Sequence, residues 1–303
     1  MNLPASIILR DVSMRDGLQD EAPVPTETKL ALFEALVAAG VTELELTSFV
    51  RPDRVPAMAD ADELCAATAS SDVTRWGLVL NRRGAERAMT AGLTHLQYVV
   101  SVSDTHSRHN AGDGTDDAIV AFEALAAPLI DQGATIEMTL STAFGCPYEQ
   151  HVDPARVVDV ARRVVQAGAS SIGLADTIGV AVPTEVSALV TQVSAAVDVS
   201  IGAHMHDTRG LAIANGLVAL EAGANRIDAA VGGLGGCPFA PGASGNVAIE
   251  DVAHALDGMG VETGCSVPGL IDAAALACGA VGREIASHVG IAGARFAVEH
   301  RIT

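Results

Sequence analysis

The 303-residue sequence has few basic side chains. Lys and Arg together number 18 against 37 Asp and Glu, which gives a formal net charge of −19. An excess of negative charge of this size argues against nucleic acid or an anionic membrane surface as a partner. It leaves room for a small anionic ligand, because a single well-placed Arg can hold one.

Long apolar runs, a basic leader and paired cysteines are also missing. No eighteen-residue stretch is apolar enough to cross a membrane, and the N-terminal segment MNLPASIILRDVSMRDG has no basic region before its apolar residues. The five cysteines are an odd number without a Cys-x-x-Cys pair, which favours reduced thiols. We therefore expect a soluble, cytoplasmic protein.

What the sequence does contain is a regular alternation of strand-like and helix-like segments. Hydrophobic residues make up 49% of the chain, enough for a large core. Eight apolar or β-branched runs start about 31 residues apart on average. They are SIILRDVS from 6, TELELTSF from 42, TRWGLVL from 74, HLQYVVSVS from 95, TIEMTLST from 135, SIGLADT from 171, SIGAHMHD from 200 and NRIDAAVGG from 225.

Alanine-rich helical segments separate these runs, for example TETKLALFEALVAAG, PARVVDVARRVVQAG and TEVSALVTQVSAAV. Four of the helices end in Ala-Gly just before the next strand, at Gly40, Gly92, Gly168 and Gly223, where glycine can close a helix. Eight such units predict an α/β fold, a (β/α)8 TIM barrel. An open doubly wound sheet is the alternative, but the Gly-x-Gly-x-x-Gly that usually follows its first strand is absent.

We expect one catalytic domain over residues 1–303. The barrel takes up about residues 6–260, and a C-terminal helical extension takes up about 261–303, within a stretch from 247 onward that is mostly helical in pattern. In a barrel of this kind the chemistry lies at the carboxyl ends of the strands. The notable polar residues of the chain fall there.

The segment AHMHDTR at the seventh strand places His204 and His206 two residues apart, on the same face of a strand. Asp16 after strand one and Asn246 after strand eight are expected at the same rim. One carboxylate, two imidazoles and an amide oxygen suit Mg²⁺ or Mn²⁺. Two His and a carboxylate are also the facial triad of Fe(II) oxygenases, which such barrels seldom carry.

Residues 232–246 contain six glycines with Cys237 among them. The segment is either a flexible loop with an incidental thiol, or a lid that brings a thiol to the substrate for proton transfer.

Three further polar residues have two possible roles each. Arg15 either forms an ordinary ion pair with Asp16 or bends over the rim to hold negative charge, and we favour the second because neighbours on a strand face opposite ways. Glu45 is either a core-facing acid that pairs with Arg15 or an active-site group. Asp176 either caps the next helix or acts in the site.

These motifs resemble those of the 3-hydroxy-3-methylglutaryl-CoA lyase family, within the DRE-type TIM-barrel metallolyases. The resemblance covers about residues 7 to 285. It is carried by RDGLQDE at 15, ELELTSFV at 43, GCPYE at 145, ADTIGV at 175, HMHDTRG at 204 and, most specifically, the loop GGLGGCPFAPGASGN. Related condensing synthases usually carry a different loop, so Cys237 argues for a lyase.

The resemblance implies a divalent metal, Mg²⁺ or Mn²⁺, held by Asp16, His204, His206 and Asn246. It implies retro-Claisen cleavage of an acyl-CoA to acetyl-CoA and a keto acid, in a protein that is a homodimer. The implied catalytic residues are Arg15, Cys237, Glu45 and Asp176, and the implied substrate and CoA contacts are Gln19, Ser101, Ser103, Asn110 and Arg209.

Three departures from the family pattern concern the surroundings of the substrate. Arg209 follows HDT where family members commonly have an aromatic residue, Asp20 gives QDE in place of QNE, and the CoA-side loop reads SVSDTHSRHN. They leave the reaction type in place and keep three substrates open: 3-hydroxy-3-methylglutaryl-CoA, citramalyl-CoA or a longer 3-hydroxy-3-alkylglutaryl-CoA. A Claisen-condensing synthase on the same scaffold and a non-catalytic barrel are competing hypotheses.

Overall fold

Eight parallel strands close into a barrel in the computed structural model, which describes residues 1–236 and 245–295. Each strand pairs with its neighbours in sequence, and the first pairs with the last. The (β/α)8 barrel is thereby confirmed, and the open sheet is excluded. The strands are β1 (Ile8–Asp11), β2 (Glu43–Ser48), β3 (Thr74–Val79), β4 (His95–Ser101), β5 (Thr135–Ser141), β6 (Ser171–Asp176), β7 (Ser200–Met205) and β8 (Arg226–Ala229).

Eleven α-helices occur within the described residues. Eight lie between strands: α1 (Thr26–Ala38), α2 (Ala61–Ala67), α3 (Arg82–Thr90), α4 (Asp104–Ala111), α5 (Thr115–Ile130), α6 (Pro154–Gln166), α7 (Pro183–Ser194) and α8 (Ala212–Glu221). Three follow the barrel: α9 (Ile249–Gly258), α10 (Val267–Val281) and α11 (His288–Ala292). The four predicted helix-ending glycines all have positive φ, between 85° and 116°, as predicted.

The main core lies between the barrel and the helices. In α6 the buried positions are Val157, Val160, Ala161 and Val164, the spacing of one helix face. The barrel interior, in contrast, is strongly charged. Arg10 on β1 donates to Glu137 on β5 over 2.7 Å, and because these strands lie on opposite sides of the ring the contact crosses its centre.

The C-terminal helices pack on the barrel as the extension predicts: α10 contacts α1, and α11 contacts α9. Residues 296–303 of that predicted extension lie outside the described ranges, and the domain limits stay a prediction. None of the helices described here is long and apolar enough to span a membrane.

Candidate metal and active site

Asp16 and Arg15 reach the barrel mouth through a π-helical turn, Ser13–Gly17, that directly follows β1. Asp11, the last residue of the strand, accepts hydrogen bonds from the backbone N–H (2.9 Å) and hydroxyl (2.7 Å) of Ser13 and so starts the turn. Our expectation that these two neighbours face opposite ways is wrong, because the chain is no longer extended there. The Arg15 guanidinium donates to the Asp16 carboxylate.

His204 lies in β7 and His206 directly follows the strand. Their side chains point to the same place, as the strand period predicts. Their Nε2 atoms are 3.2 Å apart. Oδ2 of Asp16 lies 3.9 Å from Nε2 of His204 and 3.8 Å from Nε2 of His206. One donor atom from each of the three residues lies within 4.8 Å of the others, a spacing that fits a single metal ion.

Asn246 joins this group because its backbone pairs with that of His206 in an antiparallel bridge. Its Nδ2 donates to Asp16 Oδ2 over 2.7 Å and to the Leu234 carbonyl over 3.0 Å. Its Oδ1 is buried and has no hydrogen-bond partner in the described part of the chain. An amide oxygen that accepts no hydrogen bond, beside a carboxylate and two facing imidazole nitrogens, is a suitable ligand for a hard divalent cation.

The charges of the site keep Asp16 ionised. Burial alone raises the pKa of a carboxyl group, but Arg15, His204 and His206 together hold the pKa of Asp16 well below its usual range. An ionised carboxylate is the form that binds a cation.

Glu45 holds Arg15 from the other side. It is fully buried, and it accepts from Arg15 Nε and Gln97 Nε2, each over 2.5 Å. Gln97 in turn donates to the Thr139 hydroxyl over 3.1 Å. Of our two interpretations of Glu45, the structure therefore shows the acid that pairs with Arg15, and an additional catalytic role stays a prediction.

Asp176 braces the loop before α7. Its two oxygens accept from the backbone N–H groups of Val180 (2.9 Å) and Ala181 (3.0 Å). Burial raises its pKa, and these two N–H donors oppose the rise. Both N–H groups belong to loop residues that precede α7, whose N-cap is Val182, so the predicted capping of the helix is wrong and Asp176 holds the loop instead. A part for Asp176 in catalysis stays a prediction.

Ser101 and Ser103, predicted to contact CoA, are buried in a hydrogen-bond cluster at the ends of β4 and β5. Ser101 Oγ lies 2.7 Å from His106 Nδ1 and 3.0 Å from Ser141 Oγ. Ser103 Oγ caps α4 by accepting from the His106 backbone N–H over 3.1 Å, and it accepts the Cys146 thiol over 2.9 Å. Both serines shape this part of the mouth.

The other predicted substrate contacts lie apart from this cluster. Gln19 is half-buried three residues beyond Asp16, and Asn110 is exposed in the last turn of α4. Arg209 donates to the carbonyl oxygens of Ile178 (3.0 Å) and Gly179 (2.8 Å). This contact ties Arg209 to the β6–α7 loop, and its part in substrate binding stays a prediction.

Both ends of the glycine-rich segment converge on the site. Gly235 and Gly245 have φ of +113° and +92°. A Cβ at Gly245 would lie 2.5 Å from the Gly235 carbonyl oxygen, and one at Gly235 would lie 2.5 Å from Asn246 Nδ2, so only glycine fits at either position. Cys237 lies outside the described residues, and its predicted proton transfer stays a prediction.

One buried acid beside the site was not predicted: Asp228 on β8, whose Oδ2 lies 3.6 Å from Nδ1 of His204. The signal that marks it is the Arg-x-Asp spacing of residues 226–228 inside a buried strand, which points both charges to the same face.

Comparison with known proteins agrees with this geometry. The family model described as HMGL-like matches residues 6–277. The (R)-citramalyl-CoA lyase of Chloroflexus aurantiacus is 40% identical over 301 residues, which cover 95% of each chain. The mitochondrial hydroxymethylglutaryl-CoA lyase of Mus musculus is 38% identical over 290 residues, 95% of this chain and 89% of the mouse protein.

A solved structure extends the likeness to the whole fold. The HMG-CoA lyase of Acinetobacter baumannii, in complex with coenzyme A and 3-methylmalate, superposes with a TM-score of 0.92 at 34% identity and covers 99% of each chain. These likenesses span the barrel and the described site residues together, and the family resemblance inferred from the sequence is confirmed. The chain belongs to the HMGL-like family.

Proposed function

We propose that the protein is a divalent-metal-dependent lyase that cleaves a 3-hydroxy-3-methylglutaryl-CoA-type thioester to acetyl-CoA and acetoacetate. Its membership of the family makes it a carbon–carbon lyase acting on CoA thioesters. The observation that carries the finer proposal is the convergence of Asp16, His204, His206 and Asn246, with the guanidinium of Arg15 bound to Asp16.

The mixed set of oxygen and imidazole donors would hold Mg²⁺ or Mn²⁺ through Asp16, His204, His206 and Asn246. When bound, such an ion supplies a Lewis acid that lowers the pKa of a coordinated alcohol.

Arg15 supplies the complementary charge. When the carbon–carbon bond breaks, its electron pair passes to the acetyl fragment, and negative charge grows on the thioester oxygen. Nε of Arg15 is bound to Glu45 and one Nη1–H to Asp16, which leaves further N–H groups of the five-donor fork for that oxygen. Glu45 and Gln97 fix the guanidinium in advance, so little reorganisation is needed during the reaction.

A second candidate substrate is citramalyl-CoA, since the Chloroflexus relative is named for that activity and is 40% identical. Its carboxylate sits directly on the carbinol carbon, whereas that of 3-hydroxy-3-methylglutaryl-CoA is one methylene farther away. The same bond breaks in both, and the keto acid released from citramalyl-CoA is pyruvate. A pocket distinguishes one methylene by only about 1–3 kcal/mol, so activity on both is expected.

A panel of thioesters tests the proposal. Purified protein is assayed with Mg²⁺ or Mn²⁺ for acetyl-CoA release from 3-hydroxy-3-methylglutaryl-CoA, citramalyl-CoA and a longer 3-alkyl analogue. We expect the highest kcat/KM with the first substrate, loss of turnover in EDTA and recovery when Mg²⁺ is restored. A higher kcat/KM for citramalyl-CoA would make that thioester the preferred substrate. Activity unaffected by EDTA would contradict the proposed metal dependence.

The reverse reaction separates the lyase from a synthase on the same scaffold. Acetyl-CoA and acetoacetate are supplied together, and condensation is measured. Efficient net synthesis without detectable cleavage of any panel member would contradict the lyase proposal.

A further inference from the structure

The geometry assigns to Asp228 the role of a positioning residue that fixes the ring tautomer of His204 for metal binding. This inference rests on the metal site proposed above. The β7–β8 register pairs His204 directly with Asp228, so both side chains point into the barrel from neighbouring strands. Asp228 is fully buried, and its Oδ2 faces His204 Nδ1 at 3.6 Å.

The Asp228 carboxylate is held so that only one oxygen is available to the histidine. Its Oδ1 accepts from Arg226 Nε over 2.7 Å. Arg226 is itself held by two contacts to Glu137, which also accepts from Arg10. Oδ2 has no hydrogen-bond partner within the described ranges, so the His204 ring is the group it faces.

A carboxylate oxygen accepts hydrogen bonds and donates none, so it selects the tautomer that carries its proton on Nδ1. The lone pair of His204 Nε2 is then left free, and it points toward His206 and Asp16. Metal-binding histidines are commonly oriented by a second hydrogen bond of this type. His206 has no equivalent, because its Nδ1 is buried without a partner in the described structure.

Asp228→Asn tests the assignment with an almost isosteric change. Arg226 Nε–H can only donate, so the new amide turns its oxygen toward Arg226 and its NH₂ toward His204 Nδ1. That contact selects the opposite tautomer, with the proton on Nε2, where it blocks the metal-binding lone pair. We expect the Mn²⁺ dissociation constant, measured by calorimetry, to rise about 10- to 100-fold.

The tautomer itself is read without any metal. In ¹⁵N-histidine-labelled metal-free protein at about pH 9, two-bond ¹⁵N–¹H couplings distinguish Nδ1–H from Nε2–H, and a His204→Gln variant assigns the signal. We expect the Nδ1–H form in the wild type and the Nε2–H form in Asp228→Asn. An Nε2–H tautomer in the wild type overturns the inference, even if the variant fails to fold.

Asp251→Asn is the matched control, since Asp251 faces a different histidine, His288, at 3.1 Å. It should leave the His204 tautomer and the Mn²⁺ affinity unchanged. An equal loss of affinity in both variants would also overturn the assignment. Failure of wild-type protein to bind Mn²⁺ would instead contradict the proposed function. The metal-free spectra would still test the role of Asp228.

Discussion

Arg15 is the residue on which the proposed chemistry depends most, and four other side chains fix its position. Glu45 and Asp16 accept from its guanidinium, and Gln97 and Thr139 continue the hydrogen bonds behind Glu45. Its side chain is 8% exposed, so these bonds operate away from bulk solvent. Two of the contacts use the planar fork of the guanidinium, which an ammonium group does not reproduce.

Arg15→Lys is therefore expected to lower kcat by about 100-fold, the usual scale for the loss of one charge-stabilising donor set. The positive charge is kept, so Mn²⁺ affinity should change much less than kcat. Steady-state kinetics and a metal titration measure the two effects. Arg51→Lys, at a surface pair with Asp53, is the control and should match the wild type. A variant with Arg15→Lys that retained the wild-type kcat would exclude the proposed role of Arg15.

Single residues were predictable from the sequence where strand geometry alone decides direction. His204 and His206 converge because the strand period requires it. The Arg15–Asp16 pair was one of two alternatives in the sequence and not the favoured one, because it depends on a turn type that leaves no clear pattern. Arg209 turns to the carbonyls of residues 178 and 179, and nothing in the sequence marks that loop as its partner.

At the scale of elements, the two described ends of the glycine-rich segment, residues 232–236 and 245–246, position Asn246 in the site. We call these ends the stems. The stems touch at Gly235 and Gly245, and the second stem pairs with the chain at His206. Asn246 is therefore positioned by backbone contacts on both sides, and a side chain at either glycine would push the stems apart.

Gly245→Ala should displace Asn246 and weaken Mn²⁺ binding by at least about 10-fold, because the new Cβ meets the Gly235 carbonyl oxygen and the φ of +92° is strained for alanine. Calorimetric titration measures the affinity. Gly279→Ala is the control: Gly279 lies in α10 with open space around its Cα, so alanine should raise the unfolding free energy by about 0.5–1 kcal/mol. Unchanged affinity in Gly245→Ala would show that the stems do not position Asn246.

Across the whole molecule, a net charge of −19 coexists with two buried acids whose pKa burial raises. Burial raises the pKa of Asp11 to about 7, against opposing hydrogen bonds from Ser13. Burial likewise raises the pKa of Glu250 to about 7, and Gly232 N–H and Ser287 oppose the rise. Each acid binds a proton more tightly in the folded than in the unfolded chain. Their contribution to stability is therefore full below about pH 4 and is lost as the pH rises through 7.

Glu250→Gln makes this loss measurable, since an uncharged amide mimics the protonated acid at every pH. We expect wild type and variant to have similar unfolding free energies near pH 5. At pH 8.5 the variant should be more stable by about 3 kcal/mol, because the wild-type acid has then lost the stabilisation that its raised pKa gives at low pH. Urea titrations at both pH values test this, with Glu123→Gln on the exposed face of α5 as control. Parallel pH dependences of Glu250→Gln and wild type would contradict it.

The architecture was largely predictable from the sequence, because eight apolar runs at regular spacing allow few arrangements and helix-ending glycines mark the units. The ends of the strands were less predictable. β1 ends at Asp11, although the predicted run extends to Ser13, because the Asp11 carboxylate accepts from Ser13 and turns the chain. The charged interior was not predicted. Arg10, Glu137 and Arg226 lie far apart in the sequence on three different strands, and they become a network only when those strands face each other across the ring.

Closure of the ring by β1 and β8 has a consequence for how the protein is made. Asp16 leaves the ribosome early, and Asn246, with which it shares a hydrogen bond, follows 230 residues later. At about 5–20 residues per second, translation separates them by about 10 to 50 s. The proposed metal site thus cannot assemble on a nascent chain until nearly the whole polypeptide has been synthesised, and an ion held there would bind among the last steps of maturation.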